Sequence, residues 1–292
     1  MGVKFKMDLD DIKVFREVAL HGSMTKAAET LGYAQSSITA RIRKLEANLN
    51  VNLFYRNAKG VHLTPAGKIF LEQGVKITQL LDELYFLLNP DEPPGGLLRI
   101  GSMETTAAIH LPSLLKKYHS LYDKVELSLQ TGTTEYLINQ VLNYNLDIAF
   151  VAAPINHPEI IEIEAFREEM VLVSEGGQHP KDIEEILKSR VILVFRPGCS
   201  YRSLLERYLL ENKSISLKRF EFGSLEAIIG GVASGIGISL LPKSAIEDKL
   251  QSGTLTAYEL PSHLRNCTTM LIQRKDTVQT IAMANFIDVM ST

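Results

Sequence analysis

Apolar residues recur at helical spacing in one segment near the N-terminus. Four of them follow at intervals of four, three and four residues, which predicts a helix with a single buried stripe. They are Ile38, Ile42, Leu45 and Leu49. The opposite face carries Ser36, Ala40, Arg43 and Lys44. A surface of this kind suits contact with a polyanion.

A shorter helix is predicted just before it. Ser23 is a good N-cap, Ala27 and Ala28 let a second helix approach closely, and Gly32 tolerates the left-handed backbone of a sharp turn. After the longer helix, residues 53–56 and 61–63 predict two strands of a small wing. Two helices around a tight turn, followed by a wing, are typical of a DNA-binding domain. The alternative is an ordinary amphipathic helical pair with a solvated charged face.

Side-chain chemistry assigns roles within this segment. Gln35 is the best base-reading candidate, because an amide pairs bidentately with adenine. Ser36, Ser37 and Thr39 suit bases or phosphates, whereas Arg41, Arg43 and Lys44 suit the phosphate backbone. In the wing, Arg56 and Lys59 suit the adjacent minor groove or phosphates.

Charge is distributed unevenly along the 292 residues. The segment Met7–Lys68 carries nine Lys and Arg against six Asp and Glu, and the first six residues add two positive charges. Since the whole chain has a net charge of -3, the remainder is strongly acidic. A basic head on an acidic body indicates DNA contact at one end.

A long helix is predicted after the wing. Thr64 caps it, Pro65 starts it, and it runs to about Leu88, roughly 36 Å at 1.5 Å per residue. Its apolar positions are Phe70, Ile77, Leu80, Leu81, Leu84, Leu87 and Leu88. This spacing favours a coiled-coil dimer, although the stripe would also suit packing on the body of the same chain. Residues 89–96, NPDEPPGG, then break regular structure.

From Leu97 onward, short apolar runs alternate with helical segments, which predicts α/β architecture with a mostly parallel sheet. The predicted strands are 97–103, 125–132, 147–153, 170–174, 191–195, 217–222, 238–242 and 268–273. The predicted helices are 107–118, 135–144, 183–188, 201–211, 224–233 and 278–290.

The N-terminal motifs resemble those of LysR-type transcriptional regulators over residues 9–67. The shared patterns are S-x-T-x-A-A from Ser23, Q-S-x-[IV]-[ST] from Gln35, I-x-x-L-E from Ile42, L-F-x-R from Leu53 and L-T-x-A-G from Leu63. The resemblance implies an α+β multidomain fold: a winged helix-turn-helix at 7–65, a dimerising linker helix at 64–88, a hinge at 89–96 and a two-lobed α/β effector domain at 97–292. Lobe I would comprise about 97–165 and 266–292, and lobe II about 166–265, similar to type 2 periplasmic solute-binding proteins.

The implied function is sequence-specific transcription regulation, as activator or repressor, under the control of a small-molecule effector. The implied partners are double-stranded DNA, the effector, RNA polymerase and further copies of the chain, as homodimers assembling to a homotetramer. Candidate DNA-binding residues are Thr25, Gln35, Ser36, Ser37, Thr39, Arg41, Arg43, Lys44 and Arg56.

Loops at the carboxyl ends of the predicted strands supply the candidate effector site. They contain Ser102, Met103, Glu104, Thr105, Thr106, Thr131, Gly132, Thr133, Thr134, Arg196, Cys199, Ser200, Tyr201, Arg202, Phe222 and Gly223. Hydroxyls at helix N-termini favour an anion such as an organic acid, whereas Glu104 would suit the amine of an amino acid. Ordinary capping and turn chemistry is the alternative for each residue.

Two other functions are open on sequence alone. The resemblance includes peroxide sensors with a reactive cysteine, and Cys199 lies in the corresponding lobe, but no second cysteine precedes Cys267. Residues 97–292 would also suit a cytoplasmic solute-binding module with no transcriptional role.

Compartment and catalysis are constrained by what the sequence lacks. The basic MGVKFK start is followed by Asp8, Asp10 and Asp11 rather than an apolar run, and two cysteines are too few for a disulfide scaffold. We therefore expect a cytoplasmic protein with no membrane contact. The sequence has no phosphate-binding loop, no complete G-x-S-x-G and no metal-ligand spacing. We therefore predict that the protein is not an enzyme and has no metal or cofactor site.

Overall fold

A computed structural model describes residues 7–57, 60–89, 94–177, 187, 190–212, 218–277 and 279–291. They form two compact units. The first is Met1–Pro94 with the short segments Asn143–Asn145 and Asp276–Ala284, and the second is Gly95–Leu142, Leu146–Lys275 and Asn285–Thr292.

The first unit contains a three-helix head, a two-stranded wing and a long helix. Its elements are α1 (Leu9–His21), α2 (Met24–Leu31), α3 (Gln35–Leu49), β1 (Phe54–Asn57), β2 (Gly60–Leu63) and α4 (Pro65–Leu88). Ser23 caps α2 by accepting from the Lys26 N–H, and Gly32 ends it at φ 68°. The predicted helix-turn-helix is confirmed, with Ile38, Ile42 and Leu45 buried in the head.

The long helix divides its apolar residues between two surfaces. Phe70 stands edge-on to Phe15 with ring centroids 4.8 Å apart, and Leu71 and Val75 are buried in the head. Phe70 therefore packs inward, which corrects its place in the predicted dimer stripe. The residues left exposed are Ile69, Ile77, Leu80, Leu81, Leu84, Tyr85 and Leu88. The Leu87 side chain lies outside what the structure describes.

The second unit is built on one continuous sheet. Its strands are β3 (Gly96–Ser102), β4 (Val125–Thr131), β5 (Ile148–Ala152), β6 (Ile160–Glu175), β7 (Val191–Val194), β8 (Arg219–Glu221), β9 (Gly237–Pro242), β10 (Leu255–Glu259) and β11 (Asn266–Arg274). Their order is β4-β3-β5-β11-β6-β9-β7-β8, with β10 also paired to β6.

The strand β6 divides this unit into two lobes. Its first half pairs antiparallel with β11, and its second half pairs antiparallel with β9 and β10. Parallel pairs β3–β4 and β3–β5 lie on one side, and β7–β8 and β7–β9 on the other. The predicted two-lobed α/β arrangement is therefore present in the described residues.

Helices cover the sheet and begin at its loops. They are α5 (Glu104–Ile109), α6 (Leu111–Leu121), α7 (Thr134–Leu142), α8 (Ser200–Glu211), α9 (Leu225–Ala233), α10 (Glu247–Gln251), α11 (Ser262–Arg265) and α12 (Ile281–Ser291), with a 3-10 turn at Lys243–Ala245. The single helix predicted at 107–118 is two helices that meet at His110, because Pro112 fits only the first turn of a new helix.

Some predictions fall outside the described residues. They concern Lys59, residues 90–93 of the hinge and, apart from Leu187, the helix at 183–188.

Candidate functional site

The leading end of α3 presents an exposed polar surface. Gln35, Ser36 and Ser37 are exposed, and so is Thr25 on α2. The Gln35 side-chain amide donates to the Thr39 hydroxyl over 3.2 Å, and that hydroxyl donates to the Gln35 backbone carbonyl over 3.0 Å. The side-chain amide of Gln35 is therefore held along the helix surface, and its Oε1 oxygen is left to accept a hydrogen bond.

The four candidate cations of the head fall into two classes. Arg43 and Lys44 are exposed and form no ion pair with any described residue. Arg41 instead lies 3.6 Å from the Asp11 carboxylate and over the Tyr33 ring, 5.8 Å from its centroid. Arg41 therefore has an acidic neighbour that Arg43 and Lys44 lack, and its contact with phosphate stays a prediction.

Arg56 is also engaged inside the head. Its guanidinium donates to Glu46 over 2.5 Å. The other carboxylate oxygen of Glu46 accepts from the backbone N–H groups of Leu53 and Phe54, at 2.9 and 3.1 Å. Arg56 therefore ties the wing to α3, and its contact with DNA stays a prediction.

A cavity of about 210 Å³ opens between the two lobes of the second unit. Its walls are loops at strand ends and the first turns of helices α5, α7 and α8. The lining residues are Met103, Glu104, Thr105, Thr131, Gly132, Thr133, Thr134, Phe195, Arg196, Cys199, Ser200, Tyr201 and Gly223.

Three hydrogen bonds cross from lobe to lobe around this cavity. Thr105 donates to the Tyr201 hydroxyl over 3.2 Å, and the hydroxyls of Thr134 and Ser200 are 3.0 Å apart. Glu104 accepts from the Leu225 N–H, the first of helix α9, over 3.2 Å. The cleft is therefore bridged by side chains that also form its walls.

Four predicted effector residues do not line the cavity. Ser102 is fully buried and donates to the Met103 carbonyl. Thr106 is also buried: it follows Thr105 on α5, and because consecutive helical residues point about 100° apart, its side chain does not face the cavity with that of Thr105. The Arg202 side chain is occupied by Glu206, Glu221 and the Phe195 carbonyl.

Phe222, the fourth, packs against the lobe II core. Phe195 lines the cavity but was not predicted, since its apolar run showed only a buried strand.

Both cysteines are unpaired. Burial raises the pKa of the Cys199 thiol, and burial raises that of Cys267 to about 11. The thiolate is the reactive form of cysteine, so both environments disfavour nucleophilic chemistry at neutral pH.

No three His, Cys, Asp or Glu side chains in the described ranges cluster closely enough to hold a metal ion. None of the described helices has the length and apolar character that crossing a membrane requires.

Two family models match the chain and together cover most of it. Residues 9–68 match the bacterial regulatory helix-turn-helix protein, lysR family, and residues 91–292 match the LysR substrate binding domain. The HTH-type transcriptional regulator GltR of Bacillus subtilis (strain 168) is 44% identical over 283 residues, spanning 96% of this chain and 95% of its own length.

Solved structures show the same fold. A full-length OxyR variant from Pseudomonas aeruginosa aligns with a TM-score of 0.76 at 22% identity, covering 98% of this chain and 95% of its own. Full-length CbnR complexed with its target DNA aligns with a TM-score of 0.60 at 21% identity, covering 98% and 99%.

Proposed function

The chain belongs to the LysR family of transcriptional regulators, and we propose that a small polar metabolite in the cavity between its lobes controls how it binds DNA. As a member of that family it binds DNA and an effector and forms oligomers.

For DNA, the leading end of α3 supports the proposal best. Its exposed Gln35, Ser36 and Ser37 suit base edges, and the unpaired cations Arg43 and Lys44 suit the flanking phosphates. Arg41 and Arg56 instead fix α3 and the wing in place. The base-reading surface is therefore small and centred on Gln35.

For assembly, the exposed apolar residues of α4 support a dimer. A helix that leaves six large aliphatic side chains exposed over its length gains stability when a second copy covers them. We propose that α4 pairs two heads for a roughly palindromic site, that two dimers form a homotetramer, and that the assembly acts on RNA polymerase.

For control, the bridged cavity is the observation that carries the proposal. A ligand seated among side chains from both lobes changes the free energy of lobe closure, and couplings of this kind are worth about 1 to 3 kcal/mol. An organic acid or an amino acid is the class we propose, with the protein contributing no catalysis.

The redox alternative is less well supported. The peroxide-sensing reading requires a thiolate at Cys199, whereas burial raises its pKa.

The test is fluorescence anisotropy with the full chain and the DNA upstream of its own gene, at modest ionic strength. We expect binding at least tenfold tighter than to a scrambled duplex of equal length. Equal affinity for both duplexes would contradict the proposal.

A further inference from the structure

The charged groups of the interlobe cavity limit which effectors it accepts. Only two charged side chains are among its described lining residues, Glu104 and Arg196. Which of them is available to a ligand decides whether the cavity selects an anion, a cation or a zwitterion.

Glu104 is already engaged. Its carboxylate accepts from the Leu225 N–H at the positive end of α9, while Ser224 caps the same helix by accepting from Ala227. A carboxylate at a helix N-terminus is stabilised by the helix dipole, so the charge of Glu104 is balanced by lobe II.

Arg196 is not engaged. Its guanidinium has no hydrogen-bond or ion-pair partner among the described residues, and Arg196 lines the same cavity as Thr131 and Thr133. A guanidinium presents its donors in a planar fork that matches a carboxylate bidentately. The cavity thus offers one free positive charge.

The position of that guanidinium depends on Gly223. A Cβ atom at residue 223 would lie 2.8 Å from Arg196 Nη2, 3.4 Å from Cζ and 3.5 Å from Nε. The guanidinium therefore occupies the space that the side chain of any larger residue at position 223 would need. Because the crowded atoms are the end of a flexible side chain, an alanine at 223 would move Arg196 and leave the fold intact.

Volume sets an upper limit on the ligand. About 210 Å³ is less than the roughly 300 to 1,000 Å³ typical of sites for drug-sized molecules. The geometry points to a small carboxylate held by Arg196 as the effector, with no amine bound by Glu104, and to Gly223 as the residue that positions the guanidinium. This inference rests on the proposed control of the protein through its cavity.

Isothermal titration calorimetry and thermal melting of the full chain test it. The probes are succinate and glutarate, the neutral analogue succinamide, and L-aspartate. We expect the dicarboxylates to bind and to raise the melting temperature, succinamide to bind at least tenfold more weakly, and L-aspartate to match succinate within about threefold.

Variants assign the residues. Arg196→Gln should weaken succinate binding at least tenfold, and Arg196→Lys should restore only part of it because lysine lacks the fork. Gly223→Ala should weaken it at least fivefold with an unchanged melting temperature of the ligand-free protein. The matched control is Gly230→Ala in α9, where an added Cβ meets nothing within 4 Å; it should bind succinate like the parent.

Several results would overturn the inference: no binding of either dicarboxylate, equal binding of succinamide, or unchanged succinate binding in Gly223→Ala. L-aspartate binding ten or more times tighter than succinate would assign Glu104 to an amine and also overturn it. Each of these leaves specific DNA binding untouched, so its failure is distinguishable from failure of the proposed function.

Discussion

Replacing Glu46 with alanine should free the wing from the recognition helix. Glu46 is buried, and one of its oxygens accepts from the N–H groups of Leu53 and Phe54 while the other accepts from Arg56. Alanine would leave both buried N–H groups without an acceptor, at about 1 to 3 kcal/mol each. The Arg56 side chain is 35% exposed, so its ion pair adds about 1 kcal/mol or less.

The expected cost of Glu46→Ala is therefore about 2 to 6 kcal/mol of local stability. Glu46→Gln should cost only about 1 kcal/mol, because the amide oxygen still accepts from both N–H groups and only the ion pair is lost. Hydrogen exchange of a peptide containing Leu53 and Phe54 measures the difference directly, since each 1.4 kcal/mol is tenfold in the opening equilibrium.

In the full chain, Glu46→Ala should exchange these amides at least about 30 times faster than the parent, and Glu46→Gln less than tenfold faster. Glu29→Ala is the matched control, since Glu29 is exposed on α2. Exchange in Glu46→Ala within threefold of the parent would show that the carboxylate does not hold the wing.

Three further substitutions and one pH dependence test other parts of the molecule. Gln35→Ala should relax preference at one base pair by about 1 to 3 kcal/mol, and an unchanged binding-site selection would exclude it as a base reader. Arg43→Ala should weaken binding to all duplexes and lower the salt slope by about one, and a loss confined to one operator would contradict phosphate contact. Leu84→Glu should shift the sedimentation of the chain toward smaller species, and an unchanged distribution would place the dimer interface elsewhere. Burial raises the pKa of Cys199, so its thiol is protonated at pH 7. Alkylation of Cys199 should therefore accelerate about tenfold per pH unit up to that raised pKa. An alkylation rate independent of pH between 7 and 9 would indicate a thiolate.

The head was predictable because its determinants are local. Ser23, Gly32 and the Ile38-to-Leu49 stripe each specify an N-cap, a turn or a buried face within a few residues of chain. What sequence could not show is which cations were already paired. Arg41 and Arg43 are two residues apart and of the same type, yet only Arg41 meets Asp11, which comes from a different helix.

The strand β6 shows the opposite case. Its first part, residues 160–169, carries five charged residues and lies partly exposed, so it lacked the apolar run by which the rest of the strand was recognised. It forms a strand because β11 pairs with it along that half. The strand conformation of these residues depends on pairing with a strand that is distant in sequence, and no local pattern predicts it.

The same limit explains why the connection between the lobes escaped prediction. Glu168, buried on β6, pairs with His110 at the start of α6 in lobe I, and its second oxygen accepts from Ser244 in lobe II over 2.6 Å. These three residues are far apart in sequence and individually unremarkable. A buried carboxylate is stable only where such partners satisfy it, so any rotation of the lobes that separates His110 from Ser244 must leave one oxygen of Glu168 unpaired or admit water.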